Sequence, residues 1–344
     1  MPSRRMRFGG LVVALLVVVP LACNDDAGSN GDSQGTGEVA DRPTTTVAVA
    51  DPVGTYAVGE RFGRFVDPRR STPANGSFPG APDRTLRTRI LYPATGAPGG
   101  TIELETPPAT AGGPFPLVVF SHGFRGNGGA YRVLAGEWAS AGYVVALPDY
   151  PLSNTDAPGG PVITDVFQQP ADVSFVLDSV VALAAPGGSL EGLVDGERLG
   201  AAGHSLGGIT TYGVTASACC ADERIDAAIA ISGIAGVVEA EENYFAGANA
   251  PLLILHGDDD EIVGYEHATN AFARAPPPKF LVTFLGAGHG APFHGGDEPG
   301  APTVYAVTIA FLDFYLKDDP EGLDRLRSAV SAEPDVATLQ EQVA

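Results

Sequence analysis

Several short stretches of the chain gather residue types that perform nucleophilic chemistry. Gly203-His204-Ser205-Leu206-Gly207 has the G-x-S-x-G pattern, which stands a serine on a sharp turn between a strand and a helix. Glycine is needed two positions either side of the serine, because a side chain there would strike neighbouring backbone. A helix that begins just after Ser205 aims its N-terminal amides and dipole at the reacting centre. The Leu206 amide is therefore one expected donor to an oxyanion. The Phe124 amide is the expected second, at the end of Phe120-Ser121-His122-Gly123, where Gly123 lets the backbone come close.

A serine hydroxyl becomes a nucleophile only beside a base, and the chain holds 6 histidines. His204 sits inside the turn and points away from its neighbour's side chain. His122 and His256 belong to His-Gly turns after strand ends, with His122 read as a loop brace, and His267 falls on a helix. His289 and His294 remain. His289, in Gly286-Ala287-Gly288-His289-Gly290, is the expected base, and His294 is expected to line the pocket. An acid must orient the imidazole and stabilise its charge. Asp258, Asp259 and Asp260 all follow a buried strand and qualify. The triplet also fits a solvated turn, but it lacks the ligand spacing of a dedicated calcium loop.

These residues need a scaffold that brings them to one edge. Apolar runs at 116–121, 143–147, 199–203, 227–231, 252–255 and 280–285 read as strands, most of them covered on both faces, with an earlier strand at 87–92. Helices are expected at 131–141, where Val133, Leu134 and Trp138 share a face, and at 171–184, 209–218, 266–273 and 304–316. Alternation of this kind implies an α/β fold with a mostly parallel central sheet and helices on both faces. Ligands of such sheets sit at the carboxyl ends of the strands, where each residue singled out above falls. Residues 233–250, with Tyr244 and Phe245, read either as a small cap or as a connecting helix.

The chain has 344 residues and a formal net charge of −21, from 20 Lys and Arg against 41 Asp and Glu. That balance argues against nucleic acid as a partner, since binding it needs cations on phosphate. Arg4, Arg5 and Arg7 precede a short apolar stretch at 11–19, the layout of an export signal over 1–22, too short for a comfortable membrane span. Leu21-Ala22-Cys23 resembles a bacterial lipobox, which implies lipidation of Cys23 and attachment to a membrane, with simple secretion as the alternative. Residues 23–52 are poor in large apolar side chains and read as a flexible tether, leaving 53–344 as one large α/β-hydrolase domain. Cys219 and Cys220 are adjacent, with Cα atoms about 3.8 Å apart. That is below the usual span of a disulfide, so they read as two small buried residues near a helix end, with a strained, reducible vicinal bridge as the alternative.

The chain resembles the α/β-hydrolase superfamily, in the branch of dienelactone hydrolases, platelet-activating factor acetylhydrolases and bacterial polyester hydrolases. The resemblance is carried by Ile90-Leu91-Tyr92-Pro93, Val119-Phe120-Ser121-His122-Gly123-Phe124, Gly142-Tyr143-Val144-Val145, Gly203 to Gly208, His256-Gly257-Asp258-Asp259-Asp260 and Gly288-His289. It implies the α/β-hydrolase fold and the triad order Ser205, Asp260, His289, because the family pattern His-Gly-x-x-Asp puts the acid on Asp260. It also places the oxyanion position on Phe124. Dienelactone hydrolases proper use a cysteine nucleophile, and this chain has serine. Cutinase-like polyester hydrolases carry a tryptophan after an inner strand, whereas the only tryptophan here, Trp138, sits on an early helix. The expectation is a serine esterase of short-chain or small esters, with no cofactor and no metal. Polyester hydrolase, lipase and peptidase are the enzymatic alternatives. A binding protein that kept the fold without the chemistry is the alternative of another class.

Overall fold

The structure, a computed structural model, describes residues 54–239 and 244–344. The expected export signal at 1–22, the tether at 23–52 and Cys23 lie outside the described residues.

Four strands carry the site. They are β4 (Phe115–Ser121), β6 (Val194–His204), β8 (Leu252–Gly257) and β9 (Lys279–Phe284). With β5 (Val144–Asp149) and β7 (Ile225–Ile231) they form a parallel block in the order β9-β8-β7-β6-β4-β5. Antiparallel strands close the two edges. On one side lie β2 (Arg84–Ala94) and β1 (Ala57–Asp67), the latter with the two-residue β3 (Glu103–Leu104); on the other lies β10 (Ala337–Gln342).

Alternation along the inner strands sends neighbouring side chains to opposite faces. Val118 and Phe120 join Leu134 and Trp138 of α1 (Arg132–Ser140), α5 (Ala301–Leu316) and α6 (Gly322–Ala332) in one core. Leu117 and Val119 face α2 (Gln169–Leu183) and the end of α3 (Leu206–Ala216) in the other. Further along that face, α4 (Glu266–Arg274) packs with Tyr212 of α3 on Leu252, Ile254 and Leu281. The sheet is thus covered on both sides, as the continuous apolar runs imply. Each fully buried Leu, Val or Phe contributes about 1.5–3 kcal/mol against exposure. Trp138 is fully buried and donates from Nε1 to Thr308 Oγ1 at 2.9 Å, which ties α1 to α5.

Three local expectations change. Val133 does not share the inner face of α1 and is 48% exposed, because the helix rotates Leu134 and Trp138 inward. Cys219 and Cys220 are not two buried thiols. They form a disulfide, with Cys219 exposed and Cys220 half-buried in the turn after α3. The described parts of 233–250 run as turns and bends instead of a helix. Tyr244 is buried there, edge-on to Phe245 and Tyr212.

Candidate active site

The turn between β6 and α3 holds Ser205 at φ 58° and ψ −116°, a region L-residues rarely occupy. Surrounding packing enforces it. A Cβ on Gly203 would lie 2.3 Å from the Gly207 carbonyl oxygen, and one on Gly207 would lie 1.9 Å from that of Ser121. The two glycines of the motif are therefore steric necessities of the junction between β4 and β6. Strained backbone of this kind costs on the order of 1–3 kcal/mol and persists where neighbours over-determine it.

Ser205 Oγ stands 2.8 Å from His289 Nε2, and His289 Nδ1 stands 2.7 Å from Asp260 Oδ2. Asp260 is buried at the end of the loop after β8, and its Oδ1 accepts the amides of Ile262 at 2.9 Å and Val263 at 2.8 Å. Oδ2 also lies 3.3 Å from His256 Nε2. Burial by itself would raise the Asp260 pKa. Hydrogen bonds from His256, His289 and the Val263 amide outweigh it and hold this carboxyl well below the usual range. A carboxylate so placed fixes Nδ1 as the protonated nitrogen of His289 and leaves Nε2 free to accept the serine proton.

Asp258, the other acid weighed from the sequence, braces the loops: its Oδ1 accepts the Gly286 amide at 2.6 Å. The Asp259 amide donates to the Ala287 carbonyl at 3.1 Å, so the loops after β8 and β9 are stitched together. Gly257 permits this, since a Cβ there would lie 2.0 Å from that carbonyl oxygen.

Leu206 is the first residue of α3, so its amide has no intrahelical acceptor. Gly123 lies against the serine, where an added Cβ would be 3.3 Å from Ser205 Cβ, and Phe124 is the next residue of that loop. His122 is fully buried, donates from Nδ1 to the Gly123 carbonyl at 2.8 Å and accepts the Tyr150 amide on Nε2 at 3.1 Å. It braces the loop, as read from the sequence. His267 lies on α4, as its helix-like setting predicts. His294 stacks on Tyr131 with ring centroids 4.9 Å apart.

Two contributors escaped the sequence reading. His256 shares its Nε2 proton between the Val263 carbonyl at 2.8 Å and Asp260. Tyr131 donates its hydroxyl to His204 Nδ1 at 2.8 Å. Tyr131 belongs to no catalytic motif, and His256, although part of the His-Gly-x-x-Asp pattern, reads from the sequence only as a turn residue. Both act through contacts that only the folded loops create. A cavity of about 550 Å³ lies elsewhere, lined by Arg69, Arg70, Phe167, Phe175 and the Cys219–Cys220 pair, and it includes no member of the triad. Among the described residues, no helix is long and apolar enough to cross a membrane.

A family model described as PET hydrolase-like matches residues 72–328. The chain belongs to the PET hydrolase-like family. The match covers the span from before β2 to within α6, and so includes Ser205, Asp260 and His289. Two relatives lie alongside. A bis(hydroxyethyl) terephthalate hydrolase of Streptomyces coelicolor is 25% identical over 225 residues, which is 65% of this chain and 64% of that protein. The matched region thus spans just under two thirds of that relative. A solved ferulic acid esterase from Streptomyces cinnamoneus superposes with a TM-score of 0.62 at 26% identity, over 85% of this chain and 99% of the esterase. The α/β-hydrolase architecture and the polyester-hydrolase branch of the resemblance agree with both.

Proposed function

We propose that the chain is a serine-dependent carboxylic ester hydrolase with Ser205, His289 and Asp260 as its triad. The observation that carries this reading is the unbroken hydrogen-bonded series from Ser205 Oγ through His289 to Asp260, set on a strained turn at the head of α3. His289 Nε2 takes the hydroxyl proton as Oγ attacks the ester carbonyl. Asp260 stabilises the imidazolium, and the Leu206 and Phe124 amides receive the oxyanion. The protonated His289 then gives its proton to the leaving alcohol. Water, deprotonated by the same imidazole, hydrolyses the acyl-enzyme and restores Ser205. No step calls for a cofactor.

The substrates are small esters with short or aromatic acyl groups. Phe124 and Ile262, the first in the loop after β4 and the second donating its amide to Asp260, have exposed apolar side chains that would suit such a group. Both relatives are named for esters of aromatic acids. Polyester hydrolysis is the second reading, favoured by membership of the PET hydrolase-like family. The burial of Trp138 removes the one indole from any polymer groove.

Hydrolysis of p-nitrophenyl esters from acetate to palmitate, of bis(hydroxyethyl) terephthalate and of polyester film tests both readings. Ser205→Ala should abolish turnover and leave the circular-dichroism spectrum unchanged. A variant that turns over like the parent removes the assignment. Activity on the longest chains that jumps above the substrate's micellar threshold marks a lipase, and cleavage of amide analogues marks a peptidase. No turnover of any ester by the parent restores the binding-protein reading. Export and lipidation of Cys23 complete the proposal, supported by the basic, apolar and Leu-Ala-Cys order of the first residues. Labelled palmitate should enter the parent in a bacterial host and not Cys23→Ala.

A further inference from the structure

His204 occupies the variable position just before the nucleophile, yet it is 3% exposed and fully engaged on both ring nitrogens. Its Nε2 lies 2.6 Å from the backbone carbonyl of His289. A carbonyl only accepts, so Nε2 carries the proton and donates. Burial foremost, and then the neighbouring His289 and His294, hold the His204 pKa down to about 3, so the ring is neutral. Nδ1 is therefore a bare acceptor, and the Tyr131 hydroxyl donates to it at 2.8 Å. The Tyr131 oxygen in turn accepts the Gly123 amide at 3.3 Å.

Every proton in this series has one direction: Gly123 N–H to Tyr131, Tyr131 O–H to His204, and His204 N–H to the His289 carbonyl. Its two ends are the loop bearing the Phe124 amide and the loop bearing the base. The glycines around His289 give that loop little rigidity of its own. We propose that His204 and Tyr131 are positioning residues, a buried hydrogen-bonded strut that holds the His289 backbone and the Phe124 loop at a fixed separation across Ser205. This rests on the reading of Ser205, His289 and Asp260 as the triad. Neither residue touches the ester, so the strut acts on how often Ser205, His289 and the oxyanion donors are aligned.

The test uses the full chain and four variants: His204→Leu, His204→Gln, Tyr131→Phe and Ser205→Ala. Competent sites are counted with a phosphonate that labels Ser205, and kcat and KM for p-nitrophenyl acetate are expressed per labelled site. Misplacement of a catalytic group by about 1 Å costs on the order of 100-fold in rate. His204→Leu, which removes the donor, should lower kcat by about 10- to 100-fold with KM within about twofold. His204→Gln places an amide N–H near the lost one and should recover most of that loss. Tyr131→Phe keeps the ring against Phe120 and His294 and should lower kcat by about 10-fold.

A purely structural role would lower yield and melting temperature but leave kcat per labelled site unchanged. That result in His204→Leu and Tyr131→Phe overturns the strut, as does equal loss in His204→Leu and His204→Gln. If His204→Leu fails to fold, the Tyr131→Phe rate decides alone. A parent without Ser205-dependent turnover overturns the triad reading and the strut with it. Ser205-dependent turnover that is indifferent to the variants overturns the strut only.

Discussion

Asp260 receives two backbone amides on one oxygen and His289 and His256 on the other, so its charge is balanced by donors that an amide side chain would meet wrongly. Asp260→Asn would favour the other tautomer of His289 and leave Nε2 protonated against the serine. The expected loss in kcat is on the order of 10⁴-fold, whereas Asp258→Asn should stay near the parent. The same carboxylate gives a pH signature. Its pKa is lower in the folded chain than the ordinary value of about 3.9. The unfolded chain therefore takes up the proton first as pH falls. Stability from this group is present above that ordinary value and is lost as pH drops below it toward the folded value. Urea unfolding of the parent and of Asp260→Asn should show the parent losing stability more steeply below about pH 4; parallel curves would contradict it. The proposed nucleophile and base, Ser205 and His289, stand out in the sequence because each sits in a short local pattern beside a strand end. Asp260 needed the family resemblance, since three aspartates met the local criteria. Tyr131 was not legible at all. Its partner lies 73 residues away, and only the crossing of two loops makes the pair.

The inner strands announced themselves as apolar runs because both faces are covered, and the helices between them followed from their 3.6-residue spacing. The edges were harder to read. In β1, glycines and charges interrupt the pattern, and β10 is mostly exposed and polar, so neither carries a hydrophobic signature. Both become strands by pairing with a neighbour that is already formed. Charge is likewise ambiguous in sequence, as Arg84 shows. It is fully buried, bonds Asp172 at 2.6 and 2.7 Å and lies 3.0 Å from Asp165. Asp172 also meets Arg70 at 2.8 Å, while Asp165 Oδ2 accepts the Leu152 amide at 3.2 Å. This cluster clamps β2 to α2 and to the segment before it. Arg84→Met would leave the buried Asp165 without its arginine and Asp172 with Arg70 alone. Removing one partner of a buried pair costs about 3–5 kcal/mol, so urea denaturation should show a loss of that order. Arg327→Ala, at the exposed pair with Glu341, should leave the midpoint nearly unchanged. Equal effects would mean that the cluster is no more than surface charge.

Across the whole molecule, 41 acidic residues face 20 basic ones, and the excess has two opposed consequences in salt. Screening weakens the attraction within exposed pairs such as Arg224–Asp178, and it also weakens repulsion among the unpaired carboxylates. Acids outnumber bases two to one, so repulsion is the larger sum, and the melting temperature should rise between 10 and 200 mM NaCl. The field also bears on the proposed reaction. A neutral ester enters it without cost, but hydrolysis leaves a carboxylate that the surrounding negative potential repels. For p-nitrophenyl acetate, kcat/KM should then be flat across that salt range, because the encounter involves no charge on the substrate. Inhibition by added terephthalate, a dianion, should be weak at 10 mM NaCl and tighten as the Debye length falls from about 30 Å toward about 8 Å. Inhibition that weakens with salt would place a cationic group at the product's position. The exposed arginines would then have to reach the cleft, and the acidity would serve solubility alone.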